Sequence, residues 1–232
     1  QVRNRIVNEN LIKAIKSKPA PLYHAAFKER ISTGNFEDDM SKIADVDWII
    51  EVVVERLDIK KIVFEQVEKF RTTGTLVSSN TSGIPIKFMN EGRSEDFQQH
   101  FTVTHFFNPP RYMRLLEIVV GDKTRQEAVD TVQVFCDVQL GKGVVHCKDT
   151  PGFIVNRLLV FWMQTALNVA VEDNVPLEVA DAVMGKPIGV PKTAVFGLID
   201  LVGVDLMPYL ANSMLSTLPE DDTYRKIYKD YP

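Results

Sequence analysis

The sequence has few of the residues and patterns that mark several classes of protein. Its 232 residues include 2 cysteines, Cys136 and Cys147, and neither lies in a C-x-x-C pair or at a His/Cys ligand spacing. A disulfide framework is therefore excluded, and no metal site is expected. Both cysteines are expected to be buried free thiols.

The chain also lacks a surplus of basic charge and a long hydrophobic run. It carries 27 Lys+Arg against 31 Asp+Glu, a net charge of −4, and no basic stripe interleaved with aromatic residues. A nucleic-acid partner is therefore not expected. The longest uncharged helical stretch, residues 158–171, has 14 residues, whereas a helix that spans a bilayer needs about 20. No membrane span is predicted.

The N-terminus and the composition set the compartment and the size of fold that we expect. The first residues, Gln1–Arg5, do not begin the hydrophobic segment of a signal peptide, so a cytoplasmic protein is expected. With 45% hydrophobic residues, the chain can bury the core of one large domain or two modest ones.

Strand and helix patterns alternate along the first part of the chain. Strands are predicted at 45–54, 75–79, 101–107, 115–120 and 143–147, and helices before Pro19, at 57–70 and at 123–140. Such alternation indicates a mostly parallel sheet. After Pro151 the pattern is helical only, at 154–172, 177–184 and 194–203. We therefore predict an α/β domain over residues 1–149 and an all-helical domain over residues 150–232.

A histidine and a carboxylate are the clearest candidates for chemistry. His105 is followed by Phe106–Pro109 and, 12 positions after the histidine, by Glu117. An imidazole, with an unperturbed pKa of about 6.5, can accept or donate a proton near neutral pH. A carboxylate on its far ring nitrogen would fix the tautomer and stabilise the imidazolium. The pair alone is not diagnostic, because many such pairs are structural.

Two further polar segments make a catalytic interpretation stronger. Ser78–Gly83 directly follows apolar residues and thus lies at the carboxyl end of a predicted strand, where open α/β sheets bind ligands. Downstream, Lys148–Phe153 precedes a long apolar helix. Asn156, near the start of that helix, is placed to present its amide to a ligand.

Three strings carry a resemblance to a known family. S-S-N-T-S-G, H-F-F-N-P-P-R-Y-M-R-L-L-E-I-V and C-K-D-T-P-G-F-I-V-N-R occur in this order and resemble the NAD-dependent L-3-hydroxyacyl-CoA dehydrogenases, including those within multifunctional β-oxidation enzymes. The similarity spans roughly residues 40–205. It implies NAD as cofactor and a 3-hydroxyacyl-CoA as substrate, with His105 as catalytic base, Glu117 as its partner, and Ser82 and Asn156 contacting the hydroxyl or thioester region.

The resemblance also implies which residues contact the nicotinamide side of NAD. The matching positions are Glu55, Lys60, Asn80, Ser82 and Asn108. Without the resemblance, Glu55 and Lys60 are more simply a solvated pair of charges at a helix start. Ser82 can equally cap the turn that follows it, and Asn156 can be an exposed helix residue.

One motif of dinucleotide-binding folds is absent from the sequence. The G-x-G-x-x-G loop normally follows the first strand, and none of the 12 glycines forms it before Gly74. The amides of that loop and its helix hold the pyrophosphate. The simplest interpretation is a fragment with an incomplete Rossmann-type domain, whose glycine-rich unit lies N-terminal to it. We expect weak or no NAD binding by residues 1–232 alone.

Two alternative functions remain open. One is a dehydrogenase of a polar, non-CoA hydroxy acid, although Phe106 and Phe107 weakly favour an acyl chain. The other is a non-catalytic dimerisation or scaffold module, because apolar residues crowd more than one face of the helix after residue 154: Val155, Leu158, Leu159, Phe161 and Trp162.

The family resemblance and the basic residues near the N-terminus bear on the partners. In the resembled family the helical domain forms a dimer contact, which implies a homodimer. The lysines of the first helix are compatible with the phosphates of coenzyme A and equally with a solvated helix face: Lys13, Lys16 and Lys18.

Overall fold

The computed structural model describes residues 3–231, which form two compact units that divide between Thr150 and Pro151. The first unit contains a five-stranded sheet, and the regular elements described in the second unit are all helical. The fold class is therefore confirmed as an α/β domain followed by a helical domain. The boundary predicted from the sequence lies one residue earlier, at residue 149.

The sheet of the first unit is parallel except at one pair of strands. Its strands are β1 Trp48–Glu51, β2 Leu76–Ser79, β3 Phe101–Phe106, β4 Leu115–Val120 and β5 Gly143–Cys147. They lie side by side in this order, and only β3 and β4 pair antiparallel. The strand predicted at 45–54 is shorter than expected, since Met40–Asp45 forms a 3-10 helix and β1 ends at Glu51.

Helices connect and cover these strands. In the first unit they are α1 Arg5–Lys16, α2 Leu57–Phe70, α3 Ile86–Met89, α4 Glu95–Gln99 and α5 Gln126–Val134, which continues as a π-helix over Phe135–Gln139. A further 3-10 helix covers Ala25–Arg30. The sequence did not predict α3 and α4, which are one turn long and too short for a helical period.

The buried side of α2 agrees only in part with the apolar pattern that predicted this helix, namely Ile59, Ile62, Val63, Val67 and Phe70. Val67 is buried, whereas Ile62 is 62% exposed. The buried positions are Lys60, Phe64 and Val67, which share one face of a helix. The Phe64 ring contacts Phe101 of β3 edge-to-face at 5.3 Å, and Lys60 is paired with Glu51.

The alternation of side chains divides the sheet into two faces. The α2 face carries Glu51, Ser79, His105 and Glu117, each on the side where Lys60 and Phe64 of α2 meet the strands. The α5 face is an apolar core formed by two strand residues and the helix that covers them, namely Leu116, Ile118, Val129, Val132 and Cys136. Adjacent residues of one strand therefore have different surroundings.

The second unit consists of one long helix and shorter helices that follow it. They are α6 Val155–Glu172, α7 Leu177–Met184, α8 Phe196–Val202, α9 Met207–Thr217 and α10 Thr223–Ile227. The core cluster contains Met214, Leu218 and Tyr224. Asp181 accepts hydrogen bonds from three consecutive backbone amides, beginning at Val195, and so fixes the start of α8.

Membrane-spanning potential is confined to one pair of helices in this unit. No single helix within residues 3–231 has the length and apolar content to cross a membrane. Phe196–Val202 and Val204–Thr217 meet the criterion of length and composition only when taken together, and they are bent by 84°.

Candidate active site

The antiparallel pairing of β3 and β4 places His105 directly opposite Glu117. Directly opposed residues on one sheet face have neighbouring side chains, and His105 Nδ1 lies 2.8 Å from Glu117 Oε2. Both residues are buried, Glu117 completely. A carboxylate can accept only from a protonated ring nitrogen, so this contact assigns the proton to Nδ1 and leaves Nε2 as the acceptor.

The second ring nitrogen of His105 faces Ser82. Ser82 Oγ lies 3.3 Å from His105 Nε2, and Ser82 is exposed. The Phe107 ring meets the imidazole at a steep angle, with ring centroids 4.6 Å apart. The imidazole is therefore held by Glu117 on one side and by an aromatic ring on another, while its basic nitrogen points toward an accessible hydroxyl.

The loop after β2 owes its shape to two of its own side chains. Thr81 Oγ1 accepts the backbone N–H groups of Gly83 and Ile84, a pattern that stabilises turns locally. Asn80 Oδ1 accepts the N–H of Phe106 at 2.9 Å and so ties the end of β2 to the end of β3. Asn80, predicted to contact the cofactor, thus also has a structural contact.

Glu55 and Lys60 belong to one charged network rather than to a solvated pair. The Lys60 side chain is 1% exposed, and its Nζ lies 2.9 Å from both oxygens of Glu51 and 3.3 Å from Glu55 Oε2. Glu55 Oε1 accepts the Ser82 N–H at 2.9 Å and the Thr81 hydroxyl. The interpretation of a solvated charge is therefore wrong for Lys60. It still holds in part for Glu55, whose side chain is 47% exposed.

The two remaining predicted residues are Asn108 in the first unit and Asn156 in the second. Asn108 is exposed in the loop that follows β3. Lys142, a buried residue that the sequence did not suggest, anchors that loop by donating to the carbonyl groups of Pro110 and Met113. Asn156 is the second residue of α6 in the helical unit and is half-buried. Its contact with a substrate stays a prediction.

The cluster is suited to proton transfer. It combines a buried imidazole, a carboxylate on the far nitrogen and a hydroxyl on the near one, which is an arrangement used in general acid/base catalysis. Within residues 3–231, no group of three or more His, Cys, Asp or Glu side chains could hold a metal ion. Cys136 and Cys147 are both buried and form no disulfide, as expected from the sequence.

Sequence comparison assigns each unit to one part of the same family. Residues 3–150 match the family described as "3-hydroxyacyl-CoA dehydrogenase, NAD binding domain", and residues 152–231 match "3-hydroxyacyl-CoA dehydrogenase, C-terminal domain". The chain is 42% identical, over 96% of its length, to a probable 3-hydroxyacyl-CoA dehydrogenase of Bacillus subtilis. It is 37% identical, over 99% of its length, to a putative fatty acid oxidation complex trifunctional enzyme of Rickettsia felis.

The chain spans about a third of these relatives, 28% of the Bacillus protein and 32% of the Rickettsia protein. Among solved structures, it is similar to the (S)-3-hydroxybutyryl-CoA dehydrogenase of Ralstonia eutropha, with a TM-score of 0.76 and 28% identity. That similarity covers 95% of this chain and 75% of the other.

Proposed function

Because the chain belongs to the 3-hydroxyacyl-CoA dehydrogenase family, we propose that it carries out the NAD-dependent oxidation of an L-3-hydroxyacyl-CoA to the 3-ketoacyl-CoA. The observation that supports this most directly is the buried His105, held at 2.8 Å by Glu117 and facing Ser82 with its other nitrogen. The trifunctional relative supports a place in fatty-acid β-oxidation.

The polar groups at the carboxyl edge of the sheet fit the nicotinamide half of NAD. Glu55, Ser82 and Asn108 are exposed in the segments that follow β1, β2 and β3, and their carboxylate, hydroxyl and amide groups can hydrogen-bond to the carboxamide and ribose of a nucleotide. Asn80 lies at the same edge, and Lys60 would act through Glu55. When bound, NAD supplies the acceptor for the hydride. The pyrophosphate would require amides from a glycine-rich loop, a motif that this sequence does not contain.

In the proposed reaction, His105 removes the proton from the substrate's 3-hydroxyl group through Nε2. The proton already on Nδ1 is held by Glu117, whose negative charge stabilises the imidazolium. Ser82 hydrogen-bonds the reacting oxygen, which would lie near both its hydroxyl and Nε2. Asn156 helps to place the acyl group. In the reverse direction, His105 returns the proton to the oxygen.

The test is the turnover of His105→Gln in the full-length protein, measured from NADH absorbance with a 3-ketoacyl-CoA as substrate. We expect turnover to fall by about 10²- to 10⁴-fold, the usual contribution of a general acid/base group. His146→Gln is the matched control, since His146 is exposed on β5 and its ring bonds Gln133. Near-normal turnover of His105→Gln would reject the proposed mechanism.

The class of substrate can be tested separately. We expect the protein to prefer a 3-hydroxyacyl-CoA over the corresponding free hydroxy acid when kcat/KM values are compared. A preference for the free acid would favour the alternative of a polar, non-CoA substrate. This result would leave the role of His105 intact, because both reactions remove a proton from a hydroxyl group.

We also propose that the helical unit forms a homodimer contact. On α6, Leu158 is 65% exposed and Phe161, one turn further along the helix, is 36% exposed, and adjoining exposed apolar groups can mark a protein–protein contact. Sedimentation of Leu158→Glu should show a smaller species than the unmodified protein. An unchanged mass would place the contact elsewhere or reject it.

A further inference from the structure

Glu51 is a buried carboxylate at the end of an otherwise apolar strand. It is the last residue of β1, pairs in register with Ser79 of β2, and its side chain is 1% exposed. Both of its oxygens accept from Lys60 Nζ at 2.9 Å, while Ser79 Oγ donates to it at 2.6 Å and the Val53 N–H also donates to it. Glu51 therefore has a full set of hydrogen-bond donors without any contribution from solvent.

The position of Lys60 depends on this carboxylate. Its ammonium is buried and within reach of only two charged partners among the described residues, Glu51 and Glu55. Glu55 is the more distant, at 3.3 Å, and its side chain is 47% exposed. A buried ion pair is a poor source of net stability, since desolvation offsets its attraction, but removing one partner leaves an uncompensated charge. Loss of Glu51 would therefore pull Lys60 toward Glu55 or toward water.

Glu55 transmits such a change to the imidazole. One of its oxygens faces Lys60, and the other accepts from the backbone N–H of Ser82. The same Ser82 has its hydroxyl 3.3 Å from His105 Nε2. The contacts are continuous from Glu51 through Lys60, Glu55 and Ser82 to His105.

We propose that Glu51 is a positioning residue, which fixes Lys60 beneath Glu55 and thereby holds the Ser82 loop against His105. It does not touch substrate or cofactor, so its effect is exerted through Ser82 and Glu55. This inference rests on the proposed function, in which Ser82 hydrogen-bonds the reacting oxygen.

The test uses Glu51→Gln, Lys60→Met and the double variant in the full-length protein. Glutamine keeps the size and an acceptor for Ser79 but removes the charge that Lys60 requires. We expect kcat to fall on the order of 10- to 100-fold, the range that follows when a reacting group is displaced by a remote change. KM for the acyl-CoA should change by less than about threefold, because the lost contact acts in the transition state.

The double variant distinguishes a positioning role from an independent one. If Glu51 acts through Lys60, then Glu51→Gln with Lys60→Met should have the kcat of Lys60→Met alone. Lys61→Met is the matched control, because it is the next residue of α2 and pairs with Glu91 at the exposed surface. Multiplication of the two single effects, or normal turnover of Glu51→Gln, would overturn the proposal.

A measurement that needs no turnover keeps this proposal separate from the proposed function. In protein labelled with ¹⁵N-serine, the Ser82 amide signal should shift in Glu51→Gln and stay in place in Lys61→Met. A lower melting temperature with an unmoved Ser82 signal would show that Glu51 is merely structural. A moved Ser82 signal together with normal turnover of His105→Gln would support the positioning and reject only the mechanism.

Discussion

The two faces of the sheet use the same strands for different purposes. On the α2 face, Glu117 is paired with His105, whereas its neighbours Leu116 and Ile118 on the α5 face are fully buried among apolar side chains. Because side chains alternate along a strand, one step in sequence separates a charged environment from a hydrophobic one. The candidate site and the apolar core thus share the same short segment of β4.

The polar side chains of the two faces also differ in charge. On the α5 face, the Ser78 hydroxyl accepts from Trp48 Nε1 at 3.0 Å and from Thr104 Oγ1 at 2.8 Å, so this hydrogen-bonded group is neutral, although the charge of Lys142 lies near Cys136. On the α2 face, Glu51, Lys60 and Glu117 are charged groups that solvent barely reaches. Buried charges are costly unless paired, and each carboxylate here has a partner, Lys60 for Glu51 and His105 for Glu117.

The largest effect is expected from Glu117→Gln, which changes the α2 face alone. Glutamine retains the size but loses the charge that stabilises the imidazolium, and its amide can orient the ring wrongly. We expect kcat to fall by about 10²- to 10⁴-fold with a small change in melting temperature. Both kcat and the melting temperature are measured for the full-length protein and for the variant. A large loss of stability with normal kcat would mean that the pair is structural.

Ile118 is the next residue of the same strand, and Ile118→Ala should have the opposite outcome, namely a loss of stability with little loss of turnover. Removing a fully buried isoleucine from the α5 core should lower the free energy of unfolding by about 2–5 kcal/mol. Turnover per folded molecule should be nearly normal, as judged from activity well below the melting temperature. Val120→Ala, on the same strand but at a 40% exposed position, is the control and should lose much less stability.

If Ile118→Ala reduced turnover as strongly as Glu117→Gln, the separation of the two faces would be wrong. That outcome would show that packing on the α5 face determines the position of His105.

The reactivity of Cys136 measures how far solvent reaches into the α5 core. Burial raises the pKa of this thiol to about 11 from its ordinary value of 9.0, and the nearby charge of Lys142 only partly opposes that rise. At pH 8 the thiolate is then about 100-fold scarcer than for an ordinary thiol. Alkylation by iodoacetamide, followed by mass spectrometry, should leave Cys136 unmodified until the protein is unfolded in guanidinium. Rapid modification of native protein would show that water enters this core.

The same thiol gives a prediction for alkaline pH. Since its pKa is higher in the folded state, the thiol contributes stability that is complete below pH 9.0 and is lost as the pH rises toward about 11. Replacement by alanine would remove this dependence at the cost of a cavity.

The sequence predicted the elements with strong periodicity. Helices at 57–70 and 177–184 and strands at 115–120 and 143–147 agree with α2, α7, β4 and β5 at both ends. The helices α9 and α10 were not predicted. In α9, Pro208 stands at the first turn and its buried positions are limited to Ala211 and Met214, so its hydrophobic pattern is weak.

The site residues that lie in a sequence motif were predicted, whereas burial that depends on pairing between distant residues was not. His105, Glu117 and Ser82 come together as expected, but the burial of Lys60 was missed because its partner Glu51 was read as part of an apolar strand. An acidic residue inside such a strand was the available signal, since it must be paired if buried. The spacing of Glu51 and Lys60 alone could not show that they meet.

Asp149 is a carboxylate beside the α2 face whose charge we expect to be dispensable, so its removal should have the smallest effect. Its Oδ2 accepts the N–H of Ile86 at 2.8 Å, at the start of α3, which packs against α2. Burial raises the pKa of this carboxyl above its ordinary value of 3.8, and the Ile86 hydrogen bond and the nearby charge of Lys87 only partly oppose this rise. The folded state thus holds the proton more tightly, so this contribution to stability is present below pH 3.8 and is lost as the pH rises through the folded pKa.

Asp149→Asn keeps an acceptor for Ile86 without the charge, and at pH 7 it should be as stable as the unmodified protein or more stable by less than about 1 kcal/mol. Unfolding in urea at pH 7 and at acid pH measures this, and the difference should vanish in acid, where the carboxyl is protonated. Destabilisation at pH 7 alone would show instead that the Asp149 charge holds α3 in place, as the Glu117 charge is proposed to hold the imidazole.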